Sequence, residues 1–124
     1  MKPKPISQCL RDLANYLNRK IKKEGDKMLN MNSGCTCLCG YIANRDYLEG
    51  EILLEEILGV PEVNVEMSLF EAGILKDEYD MTAYSTEFFV NKSTDQCRIK
   101  VSTIIKRLRE YATAMKKWEK ENAN

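Results

Sequence analysis

The sequence predicts an α+β fold: a small, mainly antiparallel sheet with two long amphipathic helices, one N-terminal and one C-terminal, packed on one face. Three observations predict it. Apolar residues recur at helical spacing near the start of the chain, and they do so again from Cys97 to Trp118. Between these stretches, short segments alternate apolar and polar residues in the manner of half-buried strands.

The first helix rests on Ile6, Leu10, Leu13, Leu17 and Ile21, at steps of four and three, with Pro5 suited to its first turn. Gly25 ends it. The stretch CTCLCGYIA, residues 35–43, then reads as a short strand between a turn cluster and NRD. Asp46 and Glu49 have the spacing of a reciprocal N-terminal cap, and Gly59 and Pro61 supply a stop, which predicts a short helix over 46–58. Leu48, Ile52, Leu54, Ile57 and Leu58 are its expected apolar side, although Gly50 weakens the interior and a strand is the competing reading.

Residues 62–69 alternate cleanly. Val63, Val65, Met67 and Leu69 are expected to face the core, and Glu62 and Glu66 to form an acidic outer face. A turn through ILKDEYD and an aromatic-rich strand, YDMTAYSTEFFV, would complete an antiparallel hairpin. The last helix starts behind a capping-box pair, Ser93 and Gln96. Its stripe is Cys97, Val101, Ile104, Leu108, Tyr111, Met115 and Trp118, with basic residues around it. The expected core contains Leu10, Leu13, Leu17, Val63, Val65, Met67, Phe89, Ile104, Leu108 and Tyr111. Trp118 either caps that core or, exposed beside Tyr111 and Met115, makes a seam for a homodimer.

The 124 residues suit one domain, with fraying expected at 1–4 and 121–124. No apolar run exceeds three residues, as in Ile52-Leu53-Leu54, too short to span a bilayer, and the first ten residues lack a signal-peptide core. A cytoplasmic setting is therefore expected, in which five cysteines stay reduced; their odd number argues against a fully paired disulfide framework.

On a strand, Cys35, Cys37 and Cys39 would share one face. Paired zinc knuckles and a two-residue redox spacing are both missing, and the chain has no histidine. The expectation is that these thiols line the core as small apolar groups, together with Cys9 and Cys97. A zinc or copper(I) cluster at Cys35, Cys37 and Cys39 is the sharper alternative, and a redox role the third.

No enzyme is expected, and no cofactor. Histidine, the usual general base near neutrality, is absent, and so are glycine-rich phosphate loops and a nucleophile elbow. The charge layout is the informative feature. Formal net charge is zero, yet residues 1–30 carry eight basic and three acidic groups, and residues 92–124 carry nine and four. Residues 44–91 hold twelve acidic groups against Arg45 and Lys76.

Glu62 and Glu66, with Asp77, Glu78 and Asp80 in the adjoining turn, are the candidate partner-binding residues; Asp46, Glu49, Glu51, Glu55 and Glu56 could extend the patch. Such a surface suits a basic protein, a nuclease or other nucleic-acid-handling effector, which this chain would inhibit or neutralise. The alternatives are a nucleic-acid binder using the basic terminal helices and a structural subunit of a phage-like assembly.

Overall fold

The computed structural model describes residues 4–30, 37–75 and 98–123. Their architecture is α+β, with helix dominating. Along the chain run α1 (Ile6–Glu24), β1 (Met28–Asn30), α2 (Leu38–Ile42), α3 (Tyr47–Leu58), α4 (Glu62–Glu71), β2 (Arg98–Lys100) and α5 (Val101–Glu121). β1 and β2 form a two-stranded antiparallel ribbon in the register Met28↔Lys100, Leu29↔Ile99, Asn30↔Arg98.

The two long helices lie side by side and antiparallel, because each is held at its start by a carboxylate from the far end of its partner. At one end, Glu119 of α5 accepts from the Ser7 backbone N–H (3.2 Å) and from the Ser7 hydroxyl (2.5 Å). At the other, Asp26 accepts from the Ser102 N–H (3.0 Å) and hydroxyl (2.6 Å). The first N–H groups of a helix have no partner within it, and the positive end of the helix dipole favours an anion. Pro5 and Lys100, the N-cap residues of α1 and α5, supply no side-chain cap of their own.

The shared face of this pair is the centre of the core. Leu10, Leu13, Ala14 and Leu17 of α1 and Val101, Ile104, Leu108 and Ala112 of α5 are all fully buried. Trp118 packs half-buried against the same cluster and Met115 lies within it. Lys4, placed in a frayed tail by the sequence, is anchored to the Asp12 carboxylate and to the Ile57 carbonyl at the end of α3.

Two expected strands are helices. Residues 38–42 form α2, buried along its whole length, with Cys37 extended as its N-cap. Its backbone lies directly on α3: a β-carbon on Gly50 would come within 1.9 Å of the Cys39 carbonyl oxygen. The glycine that weakened the reading of α3 is thus what lets α2 pack.

Residues 62–71 form α4, and here the alternation misleads because it also fits a helix. Glu62, Val65, Glu66 and Leu69 fall at i, i+3, i+4 and i+7 and are the buried side, whereas Val63 and Met67 are exposed. Pro61 starts this helix as well as stopping the one before. Its end is a two-bond glycine motif: Ile74 N–H reaches Leu69 C=O (2.9 Å), Gly73 N–H reaches Phe70 C=O (3.0 Å), and Gly73 has φ +75°.

The strand expected over 79–90, Phe89 and the Ser93–Gln96 cap lie outside the described residues. β2 occupies three residues that the sequence assigned to the last helix.

The Tyr41 hydroxyl is buried and has no hydrogen-bond partner among the described residues. Its ring lies under the Lys20 ammonium, 5.2 Å from the centroid. Tyr41→Phe keeps that contact and removes the orphaned polar atom, so thermal unfolding should show a gain of about 1 kcal/mol. A loss of stability would mean that the hydroxyl has a partner in solution.

Candidate interaction surface

The acidic surface predicted from residues 62–69 is not where the sequence placed it. Glu62 and Glu66 are only 4% and 3% exposed. On a strand they would have faced solvent; on α4 they share the inward side with Val65 and Leu69. Both residues interact within the protein, and their burial withdraws them from the outer face the sequence assigned to them. Asp77, Glu78 and Asp80 lie outside the described residues.

The inward turn of α4 brings Glu62 towards the thiols. Cys37 and Cys39, both buried, hydrogen-bond to each other at the start of α2. The Cys39 thiol and the Gly40 and Cys39 backbone N–H groups together hold the Cys37 thiol down to about 6, against the opposing effect of burial. Cys39 moves the other way, raised by its bond to Cys37, by burial, and by the nearby Glu62 and Glu51 carboxylates. Glu51 also accepts from the Tyr47 hydroxyl at 2.8 Å, which with burial raises the Tyr47 phenol.

Cys9 is buried as well. Burial of Cys9, Cys37 and Cys39 matches the small-apolar reading; Cys35 and Cys97 are outside the described residues. Of the candidate metal ligands Cys35, Cys37 and Cys39, only the last two can be placed. No group of three Cys, Asp or Glu side chains among the described residues is arranged to hold a metal ion.

What α3 and α4 do expose is different and more specific. Among the described residues, the large apolar side chains that are exposed are Leu48 (70%), Ile52 (57%), Val63 (50%), Met67 (56%) and Met28 (56%). Four of these five lie on α3 and α4. Leu48 and Ile52 form one i, i+4 pair and Val63 and Met67 another, so each presents a ridge on its helix.

Around the ridges stand the exposed carboxylates Asp46, Glu49, Glu55, Glu56 and Glu71. From residue 46 to residue 75 there is no lysine or arginine. Glu55 has an additional task, accepting the Glu62 backbone N–H at 2.9 Å and so capping α4. Asp46 caps α3 through the Glu49 N–H at 3.1 Å, as its spacing predicts.

Sequence reasoning assigned Leu48 and Ile52 to the core side of α3. At about 100° per residue Leu48 and Ile52 lie about 120° and about 160° around the helix from Leu54, the middle of the buried arc of Gly50, Leu54 and Leu58. A wheel centred on Gly50 would have found this second apolar stripe. The described helices include none that is long and apolar enough to cross a membrane. No protein-family model, curated protein or solved structure matches this chain.

Proposed function

We propose that the protein is a non-catalytic interaction module whose α3–α4 region docks on a basic surface of another protein, as an inhibitor or immunity factor docks on a nucleic-acid-handling effector. One observation carries this reading: four exposed apolar anchors sit among carboxylates in a stretch without a single cation. Scattered apolar residues are ordinary on protein surfaces, but paired ridges concentrated on two neighbouring helices mark an interface. Carboxylates around apolar anchors select a partner that is basic and apolar together. They accelerate encounter, while the anchors supply the lasting affinity. In this reading the carboxylates that meet the partner are Glu49, Glu55, Glu56 and Glu71, in place of the buried Glu62 and Glu66.

The test is quantitative capture from the native cell with wild-type and Leu48→Asp/Ile52→Asp baits, followed by reconstitution of the binary complex. The captured protein should be basic, and the double variant should bind it at least about 30-fold more weakly, as loss of one hot spot implies. Glu49→Lys with Glu56→Lys should instead slow association several-fold and flatten its salt dependence. An unchanged dissociation constant in the Leu48/Ile52 variant would overturn the proposal. So would concentration-dependent self-association lost in that variant, which would make the occupant a second copy of this chain.

A further inference from the structure

A second feature lies away from α3–α4, where the last turns of α1 meet β1 and the turn between α2 and α3. Two adjoining cavities of about 370 and 380 Å³ share Lys20, Glu24 and Asn44 and form one cleft. Among the described residues its walls carry five cations, Arg19, Lys20, Lys23, Lys27 and Arg45, against the single carboxylate of Glu24. That carboxylate is already committed to Lys20 at 2.8 Å. Tyr16, half-buried, adds an aromatic surface on one side.

Backbone conformation marks the cleft independently. Asn44 and Arg45 are consecutive non-glycine residues at positive φ, +53° and +79°. Asparagine tolerates this region; arginine does so at a cost. The turn is held by Arg45 N–H to Gly40 C=O at 2.6 Å and Asp46 N–H to Ala43 C=O at 3.2 Å. Glycine would satisfy the geometry of residue 45 better, but it would leave the cleft without its guanidinium. Strain kept for a charged side chain in a cavity is the pattern of a binding site.

We infer that this cleft binds the backbone of a single-stranded nucleic acid, with Arg19, Lys23, Lys27 and Arg45 meeting phosphates and Tyr16 stacking against a base. A lone small anion would not need cations distributed along the last turn of α1, past its end to Lys27 and across to a facing turn. A duplex is too wide to enter a concavity of this volume, whereas a single strand follows a charged groove and stacks on aromatic rings. Lys20 is a positioning residue here, since its ammonium is divided between Glu24 and the Tyr41 ring.

Fluorescence polarisation with a labelled oligo-dT of about a dozen nucleotides tests this on the full chain. Binding is expected at about 50 mM salt, weakening between 50 and 200 mM with a log–log slope of about 2 if three phosphates are contacted. Lys23→Glu with Lys27→Glu should weaken it at least tenfold. Lys116→Glu with Lys117→Glu, at the far end of α5, should not change it. Arg45→Gly separates function from fold: affinity should drop several-fold while the unfolding temperature stays level or rises. Absence of binding by the wild type, equal affinity for a matched duplex, or equal weakening by the α5 reversal would each overturn the inference.

Discussion

Gly50→Ala is expected to be severely destabilising, although alanine is the better helix former. Intrinsic propensity favours the substitution by about 1 kcal/mol in a helix interior. Against it, the new β-carbon would stand 1.9 Å from the Cys39 carbonyl oxygen, 2.5 Å from its carbon and 2.9 Å from the Cys39 Cα. These are backbone atoms of a buried helix, so no side chain can turn aside. α2 would have to leave α3. Overpacking in a core costs about 1–3 kcal/mol where neighbours can adjust, and a backbone collision of this depth belongs at or beyond the upper end. Urea denaturation should show the loss. Cys37 and Cys39, buried beside the contact, should become reactive towards a thiol reagent in the folded variant. Stabilisation by alanine would mean that α2 and α3 are not packed as described.

The reciprocal clamps on α1 and α5 carry the second large effect. Glu119→Ala removes the acceptor for both the Ser7 N–H and hydroxyl, and Asp26→Ala does the same for Ser102. Loss of a capping interaction costs about 0.5–2 kcal/mol. The sites stand at opposite ends of a 19-residue helix, so the two losses should add, to about 1–4 kcal/mol. Chemical denaturation of the two single variants and the double variant would measure this, and marked non-additivity would contradict the two-ended arrangement.

One clamp should also be visible in acid. The Ser102 hydroxyl and N–H hold the Asp26 carboxyl below its usual 3.8, with burial opposing and Lys100 assisting. A depressed folded-state pKa contributes stability above the unfolded value, and that contribution disappears as pH falls through the folded one. Asp12 behaves likewise: partial burial would raise it, but hydrogen bonds from Lys4 and Gln8 bring it down. Unfolding free energy should therefore fall as pH drops below about 4, and Asp26→Asn should flatten part of that decline.

What could be read in the sequence divides by element length and by the distance of the deciding partner. α1 and the body of α5 are long enough for the helical period to be unambiguous, and Asp46 announces α3 by a cap within its own first turn. α2 and α4 are short. Over so few residues, alternation through Cys37 and Cys39 or through Val63 and Val65 imitates a strand by coincidence of spacing. The local signs that would have corrected α4 were present: Pro61 opening a helix and Gly73 closing one.

Other features had no local sign at all. Nothing around Met28 reveals a strand whose partner is Lys100, and nothing around Ser7 reveals that its cap is Glu119. The proposed interaction surface was half legible. Its acidic character stood in the composition of residues 44–91, but which carboxylates face outward depended on the strand-or-helix decision at residues 62–69, which reverses Glu62, Val63, Glu66 and Met67 and leaves Val65 and Leu69 inward.

The pairing of β1 with β2 has a kinetic consequence. Residues 31–97 lie between the two strands, and bringing the ends of such a long excursion together costs about 4 kcal/mol of chain entropy before any contact forms. The ribbon and the paired helices therefore close late, and mature structure waits until residues 98–121 have been made. A ribosome-bound chain stalled before Glu119 would hold an uncapped first helix, open to proteases until synthesis resumes.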